Sequence, residues 1–140
     1  KFNNGFFEDI FFYFKVICNS NKIEVLNDKL YVKNNIKNSI VNSLSVYHVK
    51  FSFEAYYKCF LFLKKKPKLN KFLNIKYLFM YAVVGQIAVF VNRMNKISIT
   101  TKNKNLIIKM LKFYFKKFSK ITKIQYQFKT RKDLIAKKYI

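Results

Sequence analysis

No charged residue falls between Tyr77 and Asn92, and that gap decides where the interior of this chain must lie. The stretch Tyr77–Asn95 (YLFMYAVVGQIAVFVNRMN) is rich in Val, Ile, Phe and Met and holds Gly85. Lysine-dense sequence flanks it, KCFLFLKKKPKLNKF before and KISITTKNKNLIIKMLKFYFKKFSKITK after. Burying such side chains stabilises a fold by roughly 1.5–3 kcal/mol each. An apolar segment inside a small core, with basic arms outside it, is the expected arrangement. A membrane span is the rival use of the same residues. The 15 uncharged residues from Tyr77 to Val91 reach about 22 Å as a helix, short of the roughly 30 Å hydrocarbon core. Gly85-Gln86 interrupts them as well, so a soluble strand–turn–helix is predicted.

Charge bounds the function. The chain carries 29 Lys+Arg against 6 Asp+Glu, a formal net charge of +23, and no acid lies between Glu54 and Asp133. Self-repulsion of that size destabilises an isolated globule, so a polyanion is the expected partner, nucleic acid first and an anionic membrane surface second. The hydrophobic fraction of 51% supplies a core and argues against a fully disordered chain. A length of 140 residues predicts a single compact domain, 1–140, or two very small α+β lobes, 1–63 and 72–140, joined by a lysine-rich loop, 64–71.

Residue choice points to the gene's surroundings. Lys, Asn, Ile, Phe and Tyr, with A/T-rich codons, crowd the chain, while Arg93 and Arg131 are its only arginines. Arg makes the better bidentate phosphate contact, so the preference for lysine points to mutational bias of the kind found in AT-rich organelle genomes. The segment KFNNGFFEDIFFYFK has Glu8 and Asp9 and no Arg, unlike a mitochondrial transit peptide. A gene inside the organelle needs none, and the mitochondrial matrix is the expected location.

Along the chain, residues 6–17 (FFEDIFFYFKVI) are strand-like by aromatic enrichment, with a helix open at that length. In KIEVLNDKLYVK, residues 22–33, Ile23 and Val25 alternate with Glu24, and Leu30 and Val32 with Lys29, Tyr31 and Lys33. Asn27-Asp28 between them tolerates the positive φ of a two-residue turn, which predicts a β-hairpin. Val49, Phe51 and Phe53 alternate with Lys50, Ser52 and Glu54, which predicts a half-buried strand. In Asn103–Lys120, Ile107, Met110, Leu111, Tyr114 and Phe118 follow steps of three and four opposite Lys109, Lys112, Lys116 and Lys120. That is an amphipathic helix, with Thr100-Thr101 or Asn103 as its cap. Residues 121–140 alternate basic with apolar and predict a last strand or an extended basic C-terminal arm. The fold class is therefore α+β, a small antiparallel sheet with a basic amphipathic helix near 103–120.

Most catalytic templates cannot be built from six acids, one histidine (His48) and two glycines. No enzyme activity, cofactor, metal or small-molecule substrate is expected, and His48 is expected to be a surface or packed strand residue. Cys18 and Cys59 lie far apart in sequence, outside any CxxC, and a reducing interior is the default. No acid alternates with the lysines to form i,i+4 pairs, so a phosphate-facing stripe is predicted. The candidate RNA contacts are Lys64, Lys65, Lys66, Lys68 and Lys71 in the loop, then Arg93 and Lys96. They continue with Lys102, Lys104, Lys109, Lys112, Lys116, Lys117, Lys120 and Lys123, and end with Lys129, Arg131 and Lys132.

Val83-Val84-Gly85-Gln86-Ile87-Ala88, with Arg93 downstream, resembles the V-V-G-Q-V-A block of the sixth protein of the large ribosomal subunit. Ile23–Lys33, followed by Asn34 and Lys37, is similar in pattern to an alternating hairpin of that family that ends in an IKGxxG turn. This chain lacks the turn glycines, and KISITTKNKN with an added helix stands where the family's basic motif follows. The resemblance implies two small α+β domains clasping ribosomal RNA near the factor-binding region. The expectation is thus a structural protein of a mitochondrial ribosome, in its large subunit, touching ribosomal RNA and neighbouring ribosomal proteins. The alternative is a small basic membrane-associated subunit of an organellar respiratory complex, with Tyr77–Val91 at the bilayer.

Overall fold

The computed structural model describes residues 7–26, 44–66 and 75–140. Among these the chain forms helices only: α1 (Glu8–Asn19), α2 (Val46–Lys64), α3 (Ile75–Lys96), α4 (Thr101–Thr122) and α5 (Arg131–Lys137). The expected α+β fold is therefore replaced by a helical one. α3 is the centre, with α4 and α5 packed on it; α2 packs on α4 and α3, and α1 on α2.

The uncharged stretch is the core as expected, but as one unbroken helix. Phe79, Met80, Val83, Val84, Ile87, Ala88, Phe90, Val91 and Met94 are all buried. They recur every three or four residues and cover one broad side of α3. The strand–turn–helix expected here fails because a uniformly apolar run hides its own period. A glycine in mid-helix costs only about 1 kcal/mol, too little to break a helix with this much buried surface. The Val83–Ala88 block accordingly lies in mid-helix, and the two α+β domains implied by its resemblance are not formed by the described residues.

The same competition decides α2. Alternation at 49–54 suggests a strand, yet Val49, Ser52, Phe53, Cys59 and Leu63 are buried on one helical face. The helix that carries this stripe runs for 19 residues, well beyond an ordinary strand. A capping box starts the helix. The Ser45 side chain accepts from the His48 backbone N–H, and His48 Nδ1 accepts from the Ser45 N–H at 3.0 Å. His48 thus does the work of the usual Glu or Gln at this position. It is a buried helix residue rather than one on a strand, and burial first, with Arg93 second, holds its imidazole below the ordinary range.

The aromatic run near the start is α1, with Phe7, Ile10, Phe11 and Phe14 turned to the core. Phe7 meets Phe90 edge-on at 6.5 Å, and Phe11 and Phe14 both meet Phe62 at 6.3 Å. The described part of the expected hairpin, residues 22–26, is irregular, with Val25 87% exposed and Ile23 and Leu26 also exposed. Residues 27–33 lie outside the described residues. A hairpin needs a third strand or a covering helix to hold in water, and no strand forms among the described residues. At the other end, the expected strand or arm is a docked segment followed by α5. Tyr126 is buried and stacks on Tyr77 at 5.4 Å, and Ala136 is fully buried.

Gly85 sits in mid-α3, and apart from its chain neighbours and the local helix backbone nothing lies within 4 Å of the place a Cβ would occupy. Alanine there removes backbone freedom from the unfolded chain and clashes with nothing. Gly85→Ala is expected to stabilise the protein by about 0.5–1 kcal/mol. Urea unfolding checks it: an unchanged or lowered midpoint would show that the position needs its glycine.

Candidate nucleic-acid interface

α4 carries the strongest surface feature. Its N-terminus is capped by Thr100, whose side chain accepts from the Asn103 N–H. Ile107, Leu111, Tyr114, Phe118 and Thr122 are buried on the inner face. Lys102, Lys109, Lys112, Lys116 and Lys120 are exposed on the outer one. The sequence expectation of a helix at 103–120 therefore holds, within slightly wider bounds. From Lys102 to Lys120 the row spans about 27 Å at 1.5 Å per residue. Among the described residues, none of these lysines pairs with a carboxylate; the ion pairs Lys22–Glu24 and Lys50–Glu54 lie elsewhere.

The other predicted contacts divide by what their side chains touch. Lys117 is half-buried, with its ammonium 4.2 Å from the centre of the Tyr57 ring, so it ties α4 to α2 rather than facing outward. Lys66 donates to Asn19 Oδ1 at 3.0 Å and lies over Phe62 at 5.4 Å, holding the end of α2 to α1. Arg93 and Lys104 are half-buried, whereas Lys65, Lys96, Lys129, Arg131 and Lys132 are exposed. Lys123 is exposed and ends α4 in the left-handed conformation at φ 59°. Lys68 and Lys71 lie outside the described residues. Lys64 lines a groove of about 330 Å³ together with Lys76, Phe60, Phe79 and Ile121. Lys76, outside the predicted set, is brought there by the start of α3 beside the end of α2.

The one acid in the basic C-terminal half points inward. Asp133 is buried at the third position of α5, where its carboxylate accepts from the Lys129 N–H (2.9 Å), the Thr130 N–H (2.7 Å) and the Tyr126 hydroxyl (3.0 Å). Burial alone would raise its pKa. The N–H donors of Thr130 and Lys129, with the Thr130 and Tyr126 side chains, outweigh burial and hold the carboxyl below its ordinary value. Burial first and the bond to Asp133 second push the Tyr126 hydroxyl up. The carboxylate is thus committed to backbone donors and the Tyr126 hydroxyl rather than to a lysine of the outer α4 face. Burial pushes the Cys59 thiol up to about 12, and raises Cys18 against an opposing pull from Lys66.

Among the described residues no cluster of His, Cys, Asp and Glu fit for a metal ion forms. Two residues of the α4 face have no counterpart in the sequence expectation. Leu106 and Phe113 stand 42% and 59% exposed among the lysines. Their signal was present in the sequence, as apolar residues on the lysine side of the helical wheel.

Asp133→Asn is expected to cost about 2–3 kcal/mol, because three donors lose a charged acceptor in a buried place. A depressed folded-state pKa places this contribution above the unfolded value near 3.8 and removes it as pH falls through the folded value. Urea midpoints measured across that range should fall for the wild type and lose this component of the fall in the variant. Equal acid limbs in both would show that the carboxylate does not hold α5.

None of the known family models, curated proteins or solved structures compared with this chain matches it.

Proposed function

We propose that this chain is a structural constituent of a mitochondrial ribosome, in the large subunit, held on ribosomal RNA by the outer face of α4 and the lysines near the end of α2. The observation that carries this reading is the split of α4. One face is locked into the core by Ile107, Leu111 and Phe118, and the other presents five exposed lysines without a carboxylate partner among the described residues. Such a face recognises RNA through its phosphates and shape rather than its base sequence. The A/T-rich codon usage of the chain supports an organelle gene, and neighbouring ribosomal proteins are the expected further contacts.

A membrane reading has its own observation. Ile75–Lys96 has the length of a span and a mean hydropathy of 1.5 over its most apolar 18-residue window, and Leu78, Tyr81 and Val89 are exposed on it. Against it, 44% of the most apolar window is buried inside the protein. α4 also covers α3 with its own lysines turned outward, which keeps hydrocarbon from that side. The buried side of α3 is what a core helix needs, and the ribosomal reading is the better supported.

Replacing Lys109, Lys112, Lys116 and Lys120 together by Gln is expected to lower the slope of log affinity against log salt for a ribosomal RNA fragment. Every phosphate that a lysine neutralises adds about 0.7–0.9 to that slope, so the decrease counts the lysines that meet the backbone. Titration of wild type and variant at several salt concentrations checks this, and identical slopes would remove the α4 face from the interface. Fractionation of the organelle separates the two readings. Co-sedimentation with ribosomal particles and release by RNase or high salt is expected, whereas resistance to both and extraction by detergent would establish the membrane protein.

A further inference from the structure

Six exposed residues of α4 form one ridge in which cation and apolar side chain alternate as far as Lys116. Lys102, Leu106, Lys109, Phe113, Lys116 and Lys120 follow steps of four, three, four, three and four, which keeps them on a single line along the helix. Phe113 is more than half exposed, yet its ring is not loose. It meets the edge of Tyr114 at 5.2 Å, and Tyr114 is itself buried and stacked on Phe53 at 4.8 Å. An aromatic ring braced by the core and flanked by ammonium groups one turn before and one turn after is poorly suited to duplex RNA. A duplex offers phosphates and 2′-hydroxyls and keeps its base faces stacked inside. The same ring suits an unpaired base, whose π-face is free to stack while the flanking phosphates meet Lys109 and Lys116.

We propose that Phe113 is a base-stacking platform and that the α4 ridge takes single-stranded RNA, an unpaired loop or bulge, with its backbone running along the lysines. The proposal rests on the RNA-binding reading above and narrows it from RNA in general to unpaired nucleotides. Base identity matters little here, because every base presents a π-face. Leu106, one turn before Lys109, extends the apolar surface toward the preceding nucleotide.

The test uses the full chain with two RNA probes of equal length, an oligouridylate carrying one 2-aminopurine, which its weakly stacking neighbours leave unquenched, and a perfectly paired hairpin. Phe113→Ala should weaken the single-stranded probe about tenfold, within the range expected for removal of one base–aromatic stack. It should leave the hairpin within about twofold, and abolish the quenching of 2-aminopurine fluorescence that stacking on the ring produces. Phe113→Tyr should retain both affinity and quenching. Lys109→Gln with Lys116→Gln should weaken both probes and reduce the single-strand salt slope by about 1.4. Thermal unfolding of each variant separates a binding defect from misfolding. If Phe113→Ala weakens both probes equally, or neither, the stacking platform is refuted while RNA binding stands. If the wild type binds neither probe, RNA binding itself falls. Tighter binding to phosphatidylserine vesicles than to RNA, abolished in Phe113→Ala, would overturn the proposal by making the ring a membrane anchor.

Discussion

Phe53 of α2 lies fully buried where three helices meet. It stacks on Tyr114 of α4 at 4.8 Å and meets Phe90 of α3 at 6.0 Å and Phe118 of α4 at 6.1 Å. Phe118 in turn meets Phe79 at 5.4 Å, so the ring cluster runs along α3 as well as across it. Aromatic pairs at such distances add about 0.5–1.5 kcal/mol each to the area they bury. Their larger consequence is rotational. With Tyr114 and Phe118 fixed inward, the lysines at 109, 112, 116 and 120 have one direction left to face.

The core thereby sets the electrostatics of the surface. Lys112, Lys116 and Lys120 follow one another at i,i+4, each pair opposing the helix by about 0.2–0.5 kcal/mol. The chain has few acids to offset this, and the one in its basic half is committed to the cap of α5. Rings stand in where acids are missing. Lys117 lies over Tyr57, Lys66 over Phe62, Lys15 over Phe11 and Lys137 over Phe128. Such contacts hold a cation in place but leave its charge intact. The fold accommodates these four lysines without neutralising them, and the lysines along the outer face of α4 pair with no carboxylate among the described residues.

Legibility in the sequence followed contrast. α4 could be read because lysine and apolar residues alternate at helical spacing, so polarity itself carries the period. α3 could be located but not shaped, since a run without charged residues has little visible period and Gly85 looks like a turn. α2 misled because residues 49–54 alternate, while the longer stripe from Val49 to Leu63 needs a wider window. Its start was hidden because the capping box uses His48 where Glu or Gln is usual. The same holds for the interface. The outer lysines were legible from spacing, whereas Lys117 left that set through its approach to Tyr57, a residue sixty positions away. No spacing rule reports such a pair. Phe113 was visible as an apolar residue on the wrong side of α4, but its bracing by Tyr114 required the fold.

On the proposed reading, stability and binding are coupled through a single helix. A ligand that binds only the folded state stabilises it by RT ln(1 + [L]/Kd), and here the ligand would also remove the lysine–lysine repulsion that opposes α4. The inner face of α4 supplies Ile107, Leu111 and Phe118 to the core, so whatever relaxes the outer face strengthens the packing of α2 and α3 as well. A one-residue insertion before Phe113 in α4 would turn its later half by about 100°, bringing Phe113 into the place of Tyr114 and Lys117 into that of Phe118 beside Phe53. Core and proposed interface are therefore two readings of one helical register, and neither can drift in sequence without the other.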